Sequence, residues 1–371
     1  MMKSLSTSSR FRSTIKNTAF LILAIAACGN AYAQKEEPKR INIGLVYPVS
    51  TNGINAAQVS NSFSLNLLAG LSKNESGAAI AGFSNVILGN AQGLQVAGFS
   101  NHIGKEAQGA AIAGFLNTYG SSNGISIAGF ANIGHTASKA QVAGFLNTGG
   151  KVSGLQVAGF MNVAQNVKGS QVAGFINHAA NVKGFQLAGF INHAKTVHGT
   201  QLAGFINIAD TADVQIGVLN FSKNGEMSIA ATIDEVQTAL VSFRSGGRLM
   251  YGILGAGYNF NNKKQVYAYQ AGLGAHLLNG SQFRLNGELT NTGLLNFKDN
   301  EYYKVSFALM PAVRLGGVAE IFAGPSINYI NSDPGEGPAL HKKYISSWGG
   351  RNGNNFQGFY VGYTAGVAFK L

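Results

Sequence analysis

Three groups of residues in this 371-residue chain have the type and spacing that chemistry needs. His102, His178 and His193 occupy one position of a recurring motif, and His178 and His193 belong to adjacent copies. If the copies stack as parallel strands, these two imidazoles lie about 5 Å apart. Two imidazoles can share a metal, but a structural zinc site needs four ligands. Val86, Thr118, Ile133 and Val163 fill the same slot elsewhere. The histidines therefore read as polar residues at an exposed bend, and no metal or other cofactor is expected. The second group lies in residues 331–356, the longest stretch without periodicity. It holds Pro334, Pro338, His341, Lys342, Lys343, Arg351 and the single tryptophan, Trp348. Lys342, Lys343, Trp348 and Arg351 are the candidate contacts for an anionic or glycan ligand, and a solvated tether is the alternative. The third is the pair Asp234–Glu235, which a solvated turn explains.

Other catalytic signatures are missing. There is no GxxxxGK[ST] loop, no HExxH, no GxSxG elbow and no CxxC pair. A non-enzymatic protein is expected. Charged residues make up 11% of the chain with a formal net charge of +12, and the positives are dispersed. No basic stripe is built on a helix, so nucleic acid is not an expected partner.

The elements that position these residues are strands. The first 33 residues read as a signal peptide: a basic head, the apolar run Ala19–Ala27, and Ala31-Tyr32-Ala33 before Gln34. Ile25-Ala26-Ala27-Cys28 offers a competing lipobox reading, with Cys28 acylated. Residues 34–76 are an N-terminal β segment and entry cap, with Ala69-Gly70-Leu71 as a degenerate first copy. Residues 77–222 are tandem repeats of 15–16 residues. Ala-Gly-Phe recurs nine times, with its glycine at 82, 98, 114, 129, 144, 159, 174, 189 and 204. Val214–Asn220 is a worn exit copy, as terminal repeats often are.

In one copy, alternation sends Gln171, Ala173, Phe175 and Asn177 to one face and Val172, Gly174 and Ile176 to the other. The first set, with its unvarying Ala and Phe, is expected to face inward. Lys-Gly pairs at 168–169 and 183–184 supply turns where positive φ is cheap. Units of one polarity with near-constant connections favour a β-solenoid, with a single large up-and-down barrel as the alternative. The aliphatic stripe on the second face marks a contact surface.

From about Lys223 the period lengthens. Residues 223–371 read as an antiparallel β domain of about eight long strands, apolar on one side and polar or small on the other. The terminal strand Thr364–Leu371 has the pattern of an outer-membrane-barrel assembly signal. A soluble β-sandwich is the alternative.

The QVAGFxN-type array, the turn Arg244–Arg248 and the strand Tyr251–Phe260 resemble bacterial surface-repeat outer-membrane proteins. The resemblance covers most of the chain after residue 41. It implies a Gram-negative bacterium and a protein exported to the outer membrane or cell surface. Its partners would then be outer-membrane lipid and either surface glycans or another envelope protein. It supplies no catalytic or ligand residues. The expected function is a structural or adhesive surface protein, or else a barrel that binds or passes a small solute.

Overall fold

A computed structural model describes residues 40–296, 302–349 and 355–371. The expected signal peptide with Cys28, and Arg351, lie outside the described residues. The fold is all-β: a β-solenoid of about eleven turns and a closed antiparallel barrel. By internal contacts it divides into two units, one ending at Ala128 and one starting at Gly129.

Within each unit the coils pair in parallel and in register. Ile176 lies beside Ile191, Asn177 beside Asn192 and Ala188 beside Ala203. In the first unit Asn101 lies beside Asn117 in the same manner. The interior of a coil is lined mostly by small side chains, with Tyr119, Ile87 and Ile103 as larger ones in the first unit. In the second unit Ala179, Val182, Ala194 and Val197 fill it, each at most 2% exposed.

Two amide ladders run beside this small core. Asn132, Asn147, Asn162, Asn177, Asn192, Asn207 and Asn220 pass a side-chain hydrogen bond from coil to coil at 2.8–3.0 Å. Each of the first six also donates to a main-chain carbonyl ten residues on, or nine at the last coil, as Asn177 does to Leu187 at 2.7 Å. Gln141, Gln156, Gln171, Gln186, Gln201 and Gln215 form the second ladder at 2.6–2.8 Å. A buried primary amide is tolerable only when its donors and acceptor are paired, and stacking identical coils pairs them automatically.

The inward set is therefore Gln, Ala and Asn, as expected, but not Phe. The chain bends at Gly-Phe, so alternation is interrupted and Phe175 points outward, 37% exposed. The phenyl rings stack face to face on the outside, as between Phe175 and Phe190 at 5.0 Å. The bend needs glycine for lack of space. A Cβ on Gly174 would be driven into the Gly159 carbonyl of the coil before. Gly184, by contrast, has φ +140°, the positive backbone angle expected after Lys183.

The ends of the array differ in their fit to the motif. Gln215, Ile216, Leu219 and Asn220 align with Gln201, Leu202, Ile206 and Asn207, so the worn exit copy is real and one residue short. The entry copy is not Ala69-Gly70-Leu71. Ala81 of the first clear copy pairs with Asn66, and Gly82 sits over Leu67. Inward polar residues set that register, and a local likeness to Ala-Gly-Phe does not.

The barrel has eight strands: β1 (Met227–Asp234), β2 (Thr238–Gly246), β3 (Met250–Asn259), β4 (Tyr267–Asn279), β5 (Phe283–Leu295), β6 (Tyr302–Leu315), β7 (Ala319–Ser332) and β8 (Phe356–Lys370). Neighbours are antiparallel, and β8 closes on β1 from Ser228–Lys370 to Asp234–Thr364. Its polarity is inverted relative to a soluble core. Val241, Leu289, Phe307, Ile327, Val361 and Tyr363 face outward and are 49–63% exposed. Ser242, Arg244, Glu288, Lys304, Ser326 and Asn328 face inward and are at most 5% exposed.

The last coil abuts one end of this barrel. Leu249 N–H donates to the Asp213 carbonyl at 2.9 Å, Arg248 pairs with the Asp213 carboxylate at 3.1 Å, and Asn220 Nδ2 donates to the Ser245 carbonyl at 3.2 Å. The asparagine ladder thus ends on a barrel strand, which satisfies its final amide.

Candidate functional site

The barrel interior holds most of the buried charge. Arg244 on β2 faces Glu288 on β5 as a two-pronged pair at 3.0 and 3.2 Å. Tyr251 on β3 donates to the same carboxylate at 2.7 Å. The guanidinium also lies 4.6 Å from the centre of the Phe322 ring. Towards one end, Lys304 pairs with Asp234 and, at 3.5 Å, with Glu235. Glu235 further accepts from the Tyr360 hydroxyl at 2.7 Å and the Tyr363 N–H at 3.0 Å. Asp234 accepts from the N–H groups of Val236 and Thr238. The acidic pair is therefore no solvated turn. Closing the barrel folds it inward onto Lys304, and its side chains are 8% and 5% exposed. Towards the other end, Arg284 bridges Glu226 at 2.8 Å and Glu320 at 3.5 Å.

These charges leave little room. A cavity of about 30 Å³ lies among Asp234, Arg244, Glu288 and Lys304, enough for about one water molecule. A larger recess of about 210 Å³ lies beside Glu226, Arg284, Arg314, Glu320 and Lys370. The opposite end is stoppered. Leu340, Tyr344 and Phe356 pack on a buried cluster that includes Leu240, Tyr302, Ile330 and Tyr360. His341 stacks on Tyr360 at 4.0 Å, and the Tyr344 hydroxyl donates to the Gly337 carbonyl.

The stretch after β7 is thus only partly irregular. It forms a short helix, Glu336–Leu340, and a short strand, Ser346–Gly349, paired with β8. Lys342 and Lys343 are exposed on the segment between them. Trp348 is 41% exposed, and its indole N–H donates to Gln357 at 2.7 Å. Its ring neighbours are Tyr329 at 6.4 Å and Phe359 at 5.8 Å. With Tyr258, Phe260, Tyr267 and Tyr303 they give this end of the barrel an aromatic exterior. Trp348 therefore sits with outward aromatics, on the strand that follows the segment carrying Lys342 and Lys343.

His178 and His193 do stack, with ring centres 4.9 Å apart and Nδ1 atoms 2.9 Å apart. His102 instead meets Ser100 and Thr118. No cluster of three or more metal-ligating side chains occurs among the described residues. Burial, then the neighbouring His193, holds His178 below its ordinary pKa of 6.5. Protonation therefore favours the unfolded chain, so this contribution is complete above about pH 6.5 and declines as pH falls below it. Thermal unfolding of the purified protein at pH 7.5 and 5.5 should show a fall in Tm on acidification. The double change His178→Gln, His193→Gln should shrink that fall, and an unchanged fall would show that the pair contributes nothing.

The interior charges are only half legible in the sequence. Arg284, Glu288 and Lys304 stand at polar-face positions of alternating strands. Which of them meet depends on register across strands far apart in sequence. Glu75 is another buried carboxylate, one that no motif marks; it accepts from Ser64 at 2.6 Å and from Asn61 at 3.2 Å. A search of protein-family models, curated proteins and solved structures finds no match to this chain.

Proposed function

We propose that this chain is a non-enzymatic structural protein of the outer membrane, in which the barrel is the anchor and the coils are the interaction module. The observation that carries it is the inverted barrel: a closed eight-stranded wall, apolar outside and charged inside, with aromatics at one rim. Hydrocarbon favours such a wall because closure satisfies every strand edge, and aromatic residues suit the lipid–water boundary. The repeat motif's resemblance to surface-repeat proteins points the same way.

The two ends of the barrel also suggest an orientation. The connections at the coil-bearing end, 247–249, 280–282 and 316–318, have three residues each. The opposite end carries one three-residue turn, 235–237, and the longer connections 260–266, 296–301 and 333–355. Outer-membrane barrels keep short turns in the periplasm and long loops outside. The coils that adjoin the barrel then face the periplasm, which favours an envelope scaffold over a surface adhesin.

Fractionation of native envelopes tests the anchor: the protein should resist high salt and carbonate and need detergent for release. Release by salt alone would end the proposal. A membrane-impermeant maleimide then tests orientation. A cysteine at Lys343 should label on intact cells, and one at Lys183 only after the outer membrane is opened. The reverse pattern would put the coils outside.

Passage of a solute is the competing reading. The stoppered end and the salt-bridged lumen argue against it. No conductance steps are expected in planar bilayers, and reproducible steps would restore it.

A further inference from the structure

The outward row of phenylalanines is not needed for the interior of the coils. Phe130, Phe145, Phe160, Phe175, Phe190 and Phe205 stack at 4.8–5.2 Å. Each still leaves 37–41% of its surface to solvent. On either side run partly exposed aliphatic rows, Val157, Val172 and Leu187 on one flank and Met161, Ile176 and Ile191 on the other. None of the five copies from Gln141 to Asn207 has a charge between its glutamine and its asparagine. The result is an apolar ridge on which a charge-free strip repeats once per coil.

We propose that this ridge is a self-association surface and that its occupant is the same ridge of a second copy of this chain. Two observations select that occupant. The first is periodicity. Side chains that repeat every 4.8–5.2 Å over six rungs can be met rung for rung only by a surface with the same repeat. A stack of β strands has that repeat because the inter-strand spacing imposes it, and facing ladders of identical side chains interdigitate well. Lipid chains and the surfaces of globular proteins have no such spacing. The second is area. An aromatic side chain presents roughly 200 Å², so six rings at the stated exposure offer about 500 Å². The flanking aliphatic rows bring the strip towards the roughly 800 Å² per partner of a stable specific interface.

The proposal does not depend on the membrane reading, and envelope fractionation and the following experiment can fail separately. The full-length protein is purified in a mild detergent and its mass measured by light scattering, with the detergent contribution subtracted. A dimer is expected. Phe160→Lys and Phe175→Lys, each placing a charge within the ridge, should each raise the dimer Kd by more than about tenfold. Lys183→Ser, off the ridge, should leave it unchanged. Circular dichroism checks that the variants fold. If the lysine variants do not fold, single cysteines replace them. Phe175→Cys should give a disulfide-linked dimer in native envelopes under mild oxidation, and Lys183→Cys should not. A monomeric wild-type protein, a dimer insensitive to both lysine variants, or a Phe175→Cys variant disulfide-linked only to a different protein would each overturn the proposal.

Discussion

Asn177→Leu is expected to lower the stability of the surrounding coils by about 3–5 kcal/mol. Asn177 is fully buried and makes four contacts. Its amide donates to the carbonyls of Leu187 at 2.7 Å and Gln171 at 3.3 Å and to Asn192 at 3.0 Å. Its carbonyl accepts from Asn162 at 2.9 Å. Leucine has a similar volume, so no large cavity opens. The cost comes from groups left behind in a dry interior, where each buried unsatisfied donor or acceptor costs roughly 1–3 kcal/mol. Because coils couple mainly to their neighbours, the loss should be local. Hydrogen exchange should show the amides of residues 161–206 losing protection first, while those of the barrel strands keep theirs. A stability change under about 1 kcal/mol in denaturant titration would show that the ladder contributes little net free energy.

Glu288→Ala is expected to destabilise the barrel by about 3–5 kcal/mol, because it strands the Arg244 guanidinium in the interior. Arg244 is 4% exposed and, once the carboxylate is gone, keeps its stacking on Phe322 and the more distant charges of Glu226 and Glu320. Tyr251, 1% exposed, loses its acceptor as well. The double variant Glu288→Ala, Arg244→Leu should recover more than half of the loss, since an apolar replacement of a buried pair is often close to neutral. Urea unfolding in micelles, followed by the shift between folded and unfolded bands on gels, reads both variants. Equal losses in the single and double variants would mean that the pair is not what the carboxylate stabilises.

The two predictions differ in how far the primary structure foretells them. The asparagine ladder is legible as a period: identical residues every 15 positions meet in register in any parallel stack, so the neighbour of Asn177 is Asn192 by arithmetic. The face that carries the ladder is also legible, except at the corner. Alternation assumes an extended chain, and the bend at Gly174–Phe175 breaks that assumption. Alternation therefore points Phe175 inward although it lies outside. The barrel offers no such period. Arg244 and Glu288 are 44 residues apart, and Lys304 reaches Asp234 across 70.

The sequence alone determined what repetition and alternation can encode: a regular array of repeat strands, the turn glycines, the inward alanines, asparagines and glutamines, and about eight long strands with one apolar side. Each of these depends on residues near one another in the chain or separated by a constant interval. The tertiary structure decided the rest. It chose which alternate face of the barrel is the outside and paired Asp234–Glu235 with Lys304. It set Trp348 beside Tyr329 and Phe359, and it turned the phenylalanines outward. The physical reason is that closure and corners are collective. Which side of a strand is dry, and which charge meets which, follows only once distant strands have taken their register.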